Sequence, residues 1–270
     1  MDGKKFIDAL HDGRRVYGTC IISTSPKWMQ ALKGVNFDFV FIDTEHIPID
    51  SHQLGWMCHA YRGLGMAPIV RIPSPSPYEA SRAIDTGASG VIAPYIETAE
   101  QVKELRGAIK LKPLKGKKLD DILEGKAKPE PLLAEYVKNY NMNNAMIVNI
   151  ESVPAINALD EILAVPGLDA VLIGPNDLTC SLGIPEQYDS PIFDNAVREI
   201  IRKAREKNIG AGIHFWPSVE QEAKWAQAGL NLIIHHSDMT IFKRAIQEDL
   251  GRLRDLLGDD KAKTLGDDAI

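Results

Sequence analysis

The chain has 270 residues, 44% hydrophobic and 25% charged, which is typical of a globular protein with a sizeable core, built as one large α/β domain or two small ones. Its net charge of −6 gives no sign of the basic face of a nucleic-acid binder, and the short basic run at 110–118 is more simply a solvated loop. Three scattered cysteines exclude a disulfide framework, and we find neither a secretory signal nor an apolar run long enough to span a membrane. We therefore expect a soluble, cytoplasmic protein.

Eight short segments rich in apolar and β-branched residues are predicted to be strands. They are almost continuously apolar, as expected for strands of a parallel sheet that is buried on both faces. In chain order they are 16–22 (VYGTCII), 37–43 (FDFVFID), 67–72 (APIVRI), 90–94 (GVIAP), 145–151 (AMIVNIE), 168–174 (LDAVLIG), 209–214 (IGAGIH) and 230–236 (LNLIIHH).

Helical patterns separate these strands. Several begin with Ser, Thr or Asp in the position of an N-cap and several end in Gly, which are the usual start and stop signals of helices. The predicted helical segments are SPKWMQALKG, SHQLGWMCHAYRGLG, SPYEASRAIDTG, TAEQVKELRGAIK, SVPAINALDEILAV, NAVREIIRKAREKN, SVEQEAKWAQAG and DMTIFKRAIQEDLGRLRDLL.

Eight β-then-α units predict a closed (β/α)8 TIM barrel, which we assign to residues 1–257, followed by a polar tail at 258–270. The alternative is a doubly wound open sheet, but the chain has no GxGxxG motif at its first turn. Residues 111–144 interrupt the rhythm with Lys and Pro, and only PLLAEYVKNY within them is predicted to be helical. Insertions of this length are often lids or linkers.

Ionisable side chains follow the predicted strands at their C-terminal ends, where the active sites of TIM barrels form. If the barrel prediction is right, these residues converge on one rim. They are Asp43, Glu45 and His46 after the second strand, Arg71 after the third, Glu151 after the fifth, Asp177 after the sixth, His214 at the end of the seventh, and His235 and His236 at the end of the eighth.

Two of these carboxylates, Glu151 and Asp177, are the natural pair for a divalent metal. Mg²⁺ and Mn²⁺ favour oxygen ligands, and water and substrate oxygens would complete the shell. Each residue also has a simpler interpretation, since Glu151 precedes a helix whose dipole favours a carboxylate, and Asp177 could be an N-cap.

Arg71 and His46 are the candidates for binding and proton transfer. A buried arginine needs a carboxylate, either from a substrate or from Asp43 or Glu45. His46 beside Asp43 suggests a base held in one tautomer by a carboxylate, while the alternative is an ordinary polar histidine in a loop.

Four segments in this order, FDFVFIDTEHIPID, PIVRIP, VNIES and LDAVLIGPNDLTCSLG, resemble the HpcH/HpaI family of class II pyruvate aldolases. The resemblance covers roughly residues 15 to 255. It implies a TIM barrel like that of the phosphoenolpyruvate/pyruvate superfamily, a homohexamer built as a trimer of dimers with helix exchange, and a divalent metal, Mg²⁺, Mn²⁺ or Co²⁺. The implied reaction splits a 4-hydroxy-2-oxo acid into pyruvate and an aldehyde through a metal-bound pyruvate enolate.

The resemblance also implies roles for the matched positions. Glu151 and Asp177 would hold the metal, and Arg71 would face the keto oxygen. His46, oriented by Asp43, would act as the base, and Glu45 would support Arg71 or a metal-bound water. The backbone around Gly174, Pro175 and Asn176 would cradle the pyruvate carboxylate.

Three departures from the family pattern affect the part of the site that would take the aldehyde: the insertion at 111–144, AGIHFWP at the seventh strand and IIHHSDMT at the eighth. The same superfamily contains oxaloacetate decarboxylases and CoA-ester lyases, and these reactions are the alternative. A non-catalytic binding protein is a third hypothesis, which the joint presence of Asp43, His46, Arg71, Glu151 and Asp177 disfavours.

Overall fold

Eight parallel strands close into a barrel in the computed structural model of this protein, which describes residues 1–259. Neighbours in sequence are neighbours in the barrel, and β8 pairs with β1 to close it. The (β/α)8 prediction is confirmed, the open-sheet alternative is wrong, and residues 260–270 of the predicted tail lie outside the described part. The strands are β1 (Val16–Ile21), β2 (Phe39–Asp43), β3 (Ala67–Arg71), β4 (Gly90–Ala93), β5 (Ala145–Ile150), β6 (Ala170–Ile173), β7 (Gly210–Phe215) and β8 (Leu232–Ser237).

The helices surround the barrel and begin where the sequence supplies caps. Thr98 and Gln101 form a reciprocal capping box, and the side chain of Ser218 accepts from the backbone of Gln221. The helices are α1 (Gly3–His11), α2 (Trp28–Leu32), α3 (Ser51–Gly63), α4 (Pro77–Asp85), α5 (Ala99–Lys110), α6 (Gly116–Leu123), α7 (Pro131–Tyr140), α8 (Val153–Asn157), α9 (Leu159–Ile162), α10 (Pro175–Ser181), α11 (Pro191–Glu206), α12 (Val219–Gln227) and α13 (Asp238–Leu257).

Each strand divides its side chains between two cores, because successive residues point to opposite faces. On β2, Phe39 and Phe41 face the barrel interior, while Val40 and Ile42 pack against the surrounding helices. The same alternation holds on the other strands, so both faces are apolar and the strands look continuous in the sequence. Helix α1 adds Phe6 to the interior cluster.

The insertion between α5 and β5 contains more structure than the sequence indicated. Helix α6 begins at Gly116, inside the basic run that we predicted to be a loop. Its apolar residues Leu119, Ile122 and Leu123 recur at helical spacing and pack with Leu111 and Val137 in a small separate cluster. The prediction of a helix at 131–140 is confirmed by α7.

Helix α13 differs from the other long helices because its apolar residues lie in solvent. They recur three or four residues apart along one side, the pattern of a helix face that packs against another surface. The exposed residues are Met239, Phe242, Ile246, Leu250, Leu253, Leu256 and Leu257. None of the helices in residues 1–259 has the length and hydrophobicity needed to cross a lipid bilayer.

Candidate active site at the C-terminal mouth of the barrel

Strand alternation decides which polar residues enter the barrel mouth. Asp43 lies two residues after the inward-facing Phe41 on β2, and Arg71 lies two residues after the inward-facing Ile69 on β3. Glu151 lies two residues after the buried Asn149 on β5. Each of these residues continues the inward-facing series of its strand. His214 on β7 does the same, since its ring contacts that of inward-facing Phe41 at 5.5 Å between centroids.

Arg71 is fixed by two carboxylates. It lies directly opposite Asp43 in the β2–β3 register, and its Nε and Nη2 donate to the two oxygens of Asp43 at 2.9 and 2.6 Å. The Nε atom also lies 3.1 Å from Oε2 of Glu45. Burial would raise the pKa of Asp43, but its hydrogen bonds to Arg71 and the charge of Arg71 outweigh burial and hold that pKa below its usual value. The internal ion pair left open by the sequence is therefore present.

His46 does not pair with Asp43 as we expected. Both oxygens of Asp43 are taken by Arg71, and Oδ1 also accepts from the backbone N–H of Glu45 at 3.0 Å. The nearest carboxylate to His46 is Glu45, with 3.8 Å between Nε2 and Oε2. The side chain of His46 is 59% exposed, so its ring stands at the rim while Asp43 lies in the wall below it.

Glu151 follows β5, which is separated from the Arg71 strand β3 by β4 alone. Its Oε1 accepts from the backbone N–H of Tyr95 at 2.7 Å, and its Oε2 accepts from Nδ2 of Asn149 at 2.8 Å. Its carboxylate is therefore directed to β4 and β5, and the next helix is capped by Ser152. Burial raises the pKa of Glu151, and the negative charges of Asp177 and Glu45 add to that effect.

Asp177 is exposed in the first turn of α10, and the N-cap of this helix is Gly174, so the N-cap interpretation of Asp177 is wrong. Gly174, Pro175 and Asn176 form the turn from β6 into α10. A Cβ added to Gly174 would lie 2.7 Å from Oε2 and 3.0 Å from Cβ of Glu151, so a larger residue here would displace the Glu151 side chain.

These carboxylates suit a divalent cation. Glu45 and Asp177 lie close enough to Glu151 for their negative charges to raise its pKa. A cation among these three carboxylates would relieve their repulsion. The Oδ1 atom of Asn149 is buried beside Glu151 without a hydrogen-bond partner. Within residues 1–259, no group of three or more His, Cys, Asp or Glu side chains is placed to hold a metal.

The three histidines after β7 and β8 have different surroundings. His214 donates from Nε2 to the carbonyl of His236 at 3.0 Å, and burial lowers its pKa to about 4. His235 turns outward, where its Nδ1 lies 2.6 Å from Oε2 of the buried Glu222 on α12. The Nε2 atom of His236 lies 3.2 Å from Nη1 of Arg244 on α13. Of these three, His214 lines the mouth.

Two residues at the mouth were not among the predicted site residues. Asn149 has the same parity as Glu151 on β5, so alternation alone could have pointed to it. Tyr95 follows β4 with a positive φ of 56°, and its backbone N–H donates to Oε1 of Glu151. The local sequence gives no signal that Tyr95 belongs to the site, because its positive φ is visible only in the folded backbone.

Comparison with known proteins agrees with this architecture. Residues 17–245 match the HpcH/HpaI aldolase/citrate lyase family. The chain is 33% identical over 196 residues to the 2-dehydro-3,6-dideoxy-6-sulfogluconate aldolase of Pseudomonas putida, covering 73% of this chain and 76% of the relative. It is 27% identical to the 5-keto-4-deoxy-D-glucarate aldolase of Escherichia coli, covering 90% and 94%.

Among solved structures, the HpcH/HpaI aldolase of Desulfitobacterium hafniense DCB-2 superimposes with a TM-score of 0.80 at 24% identity, covering 94% of this chain and 98% of that one, and shows the same fold. The family match spans the strands that carry Asp43, Arg71 and Glu151. The chain therefore belongs to the HpcH/HpaI aldolase/citrate lyase family and is a carbon–carbon lyase of the aldolase type.

Proposed function

We propose that the protein cleaves a 4-hydroxy-2-oxo acid into pyruvate and an aldehyde, or runs this reaction in reverse, with a divalent metal. The observation that carries the proposal is the arrangement of charges at the barrel mouth. A fixed cation, Arg71, stands on one side, and a cluster of carboxylates with Glu151 at its base stands on the other. Carbon–carbon cleavage next to a keto group leaves an enolate, and the Arg71 guanidinium together with a divalent cation held by these carboxylates would stabilise it.

Glu151 and Asp177 would hold the metal, and Mg²⁺, Mn²⁺ or Co²⁺ fits two carboxylates with open positions. When bound, such an ion polarises the keto group of the substrate and lowers the energy of the pyruvate enolate. The hydrogen bonds from Tyr95 and Asn149 would keep the Glu151 carboxylate in one orientation.

Arg71 would donate to the keto oxygen, where negative charge develops as the enolate forms. Asp43 and Glu45 prevent the guanidinium from rotating, so its direction is set before the substrate arrives. Burial together with two carboxylates also explains why only an arginine, which presents a planar fork of donors, suits this position.

His46 would remove the proton of the 4-hydroxyl group, directly or through a water. Its exposed ring can reach a substrate at the rim, and imidazole is the side chain that most often serves as a general base. Because Asp43 is bonded to Arg71, we assign Asp43 to the orientation of Arg71 and Glu45 to the support of both Arg71 and His46. The turn from β6 into α10, formed by Gly174, Pro175 and Asn176, would take the pyruvate carboxylate. The donors would be the backbone N–H groups of Gly174 and Asn176, since proline has none.

Oxaloacetate decarboxylation is the alternative activity, because it also produces a pyruvate enolate and needs no further residues. A CoA-ester substrate is less well supported, because the basic run offers few unpaired charges for CoA phosphates. Four of its five lysines are engaged with acids: Lys110 with Asp169, Lys112 with Asp85, Lys117 with Asp121 and Lys118 with Glu130.

We also propose a homo-oligomer in the cytoplasm, with the hexamer implied by the family resemblance. The exposed apolar side of α13, which includes Phe242, Ile246 and Leu250, supports association, because a surface of this kind is stabilised by covering it with another subunit. The cysteines Cys20, Cys58 and Cys180 are free thiols, as in proteins of reducing compartments.

Two measurements test the proposed reaction. Purified protein is incubated with pyruvate and a panel of aldehydes, and the products are identified by mass spectrometry, with and without a chelator. We expect 4-hydroxy-2-oxo acids that disappear with the chelator and return with Mg²⁺, Mn²⁺ or Co²⁺. The second measurement compares cleavage and oxaloacetate decarboxylation in one preparation of His46→Ala. Cleavage should be abolished and decarboxylation spared, because only cleavage removes a hydroxyl proton. Equal loss of both activities would contradict the role of His46.

A further inference from the structure

We infer that Gln101, in the first turn of α5, is a positioning residue for the metal site. Its side chain fixes the loop between β4 and α5 (residues 95–98, the β4–α5 loop), so that the backbone N–H of Tyr95 stays directed at Glu151. The consequence for metal binding rests on the proposed role of Glu151. The structural content, a glutamine that holds the Tyr95–Glu151 hydrogen bond in place, rests on the hydrogen bonds of the loop alone.

The β4–α5 loop begins with an unusual backbone conformation at Tyr95. Its φ of 56° lies in the left-handed region, which residues other than glycine rarely adopt. Such a conformation persists only where the surrounding contacts fix it. In this conformation the N–H of Tyr95 donates to Oε1 of Glu151 at 2.7 Å. The hydrogen bond to Glu151 therefore depends on a backbone that needs support.

Gln101 supplies that support from the third position of α5. Its side-chain amide offers both a donor and an acceptor, and each has partners in the loop. The Nε2 atom donates to the carbonyl of Tyr95 at 3.1 Å, and Oε1 accepts from the backbone N–H groups of Glu97 and Thr98 at 2.9 and 3.0 Å. One side chain therefore spans the loop from Tyr95 to the N-cap residue of α5.

Helix capping accounts for only half of these contacts. In a capping box, the residue at this position accepts from the backbone N–H of the N-cap, and glutamate serves there as well as glutamine. An ionised glutamate has no donor, so it could cap α5 but could not bind the carbonyl of Tyr95. The donor of Gln101 is thus not needed for the cap, and it binds the residue that contacts Glu151.

The β4–α5 loop is also attached to the end of β5. Strands β4 and β5 are neighbours, with Ala93 opposite Val148. Oγ of Ser152, the residue after Glu151, donates to Oε1 of Glu97 at 2.6 Å. Loss of the Gln101 side chain would release the loop on the side of α5 and leave this second contact in place, so we expect a partial effect.

Two substitutions separate capping from positioning. Gln101→Glu keeps an acceptor for the N–H groups of Glu97 and Thr98, but it replaces the donor with an oxygen that repels the carbonyl of Tyr95. Gln101→Ala removes both functions. Stability measured by denaturant titration should therefore stay close to that of the wild type in Gln101→Glu and fall in Gln101→Ala.

The matched control is Gln221→Ala. Gln221 is the third residue of α12, its backbone N–H donates to the N-cap Ser218, and its Nε2 donates to Asp194 at 3.1 Å. It therefore has the same helix position and a similar set of side-chain contacts. Helix α12 follows β7, which is not a neighbour of β4 in the barrel.

Two measurements test the inference, one of them on metal-free protein. Hydrogen exchange of the Tyr95 amide, followed by NMR after selective ¹⁵N-tyrosine labelling, should be about tenfold faster in both Gln101 variants, as for the loss of one hydrogen bond. Mn²⁺ affinity, measured by EPR, should fall by about tenfold in both, which is typical for a lost supporting contact of a metal ligand. The charge added in Gln101→Glu would attract Mn²⁺, so a lower affinity reports geometry. Gln221→Ala should match the wild type in both measurements.

Other outcomes overturn the inference. A wild-type Tyr95 amide and wild-type Mn²⁺ affinity in Gln101→Glu would reduce Gln101 to a capping residue. Faster exchange of the amide without any change in Mn²⁺ affinity would show that the metal site does not depend on the loop. Equal losses in Gln221→Ala would show a general effect of helix starts. If the wild type binds no Mn²⁺, the proposed metal site fails, while an unchanged Tyr95 amide in Gln101→Glu would still refute the positioning role.

Discussion

The Arg71 side and the Glu151 side of the mouth are both built from inward-facing polar residues, yet their charges are balanced differently. On the first, one guanidinium is hydrogen-bonded to Asp43 and lies close to Glu45, so the positive charge of Arg71 has its counter-charges within the protein. On the second, Glu151 accepts only neutral donors and lies near further negative charges. The contrast indicates that the Arg71 side is organised in advance, whereas the Glu151 side gains most from an added cation.

The largest expected effect comes from Glu151→Gln. Removing this charge should lower metal-dependent activity by at least about 100-fold, since it removes one of the two carboxylates that we propose to hold the metal. Mn²⁺ binding, measured by EPR, should weaken in parallel. Thermal stability should be unchanged or slightly higher, because burial disfavours the charged form of Glu151 and raises its pKa.

A matched control for this substitution is Glu222→Gln. Glu222 is also a buried carboxylate, but its partner is His235 and it lies on α12 outside the mouth. We expect reduced stability with normal Mn²⁺ affinity. If both variants bind Mn²⁺ like the wild type, the metal does not use Glu151.

Arg71→Lys tests the organised side. Lysine cannot reproduce the two-pronged contact with Asp43, so we expect activity to fall by roughly 100-fold and unfolding to require about 3 kcal/mol less, as when one partner of a buried ion pair is lost. Denaturant titration measures the second quantity. Arg82→Lys, at an exposed arginine beside Glu79, should keep wild-type activity. Its free energy of unfolding should change by no more than about 0.5 kcal/mol. Wild-type stability of Arg71→Lys would contradict the restraining role of this network.

The effect that is smallest at neutral pH concerns His214, because it appears only as the pH falls. Its folded pKa of about 4 lies below the usual value of 6.5, so the unfolded chain binds the proton first. Stability is then complete above pH 6.5 and falls as the pH drops towards 4, by at most about 1.4 kcal/mol per pH unit. His236 shows the same direction, with a pKa also lowered to about 4 by burial.

His214→Phe should make the stability curve flatter between pH 6.5 and 4, as measured by denaturant titration at several pH values. Trp216→Phe is the control, since Trp216 packs against the ring of His214 but carries no titratable group. An unchanged slope in His214→Phe would show that this histidine does not titrate in that window.

The sequence was sufficient for the barrel because its signals are periodic and local. All eight predicted strands exist, and alternation along β2 and β3 carries Asp43 and Arg71 to the same wall. Helix α6 was missed because lysines and a proline surround its few apolar residues, and these matter only when they meet Val137 of α7.

The pairing of His46 could not be predicted from its position in the chain. Asp43 lies three residues before it, which suggested a contact, but the strand turns that carboxylate inward to Arg71, 28 residues away. Tyr95 was hidden for a related reason, since its positive φ and its hydrogen bond to Glu151 depend on how β4 and β5 are placed in the barrel. Which carboxylate meets which cation is a property of register, and residue spacing does not contain it.

We propose above all that the Arg71 guanidinium and a divalent cation held by the carboxylates around Glu151 together stabilise an enolate of pyruvate. NMR detection of pyruvate methyl-proton exchange in D₂O tests it without any need to know the aldehyde. We predict exchange by the wild type with Mg²⁺ or Mn²⁺, loss of exchange on chelation, and loss in both Glu151→Gln and Arg71→Lys. Exchange that persists in the chelator, or in either variant at the wild-type rate, would contradict the account.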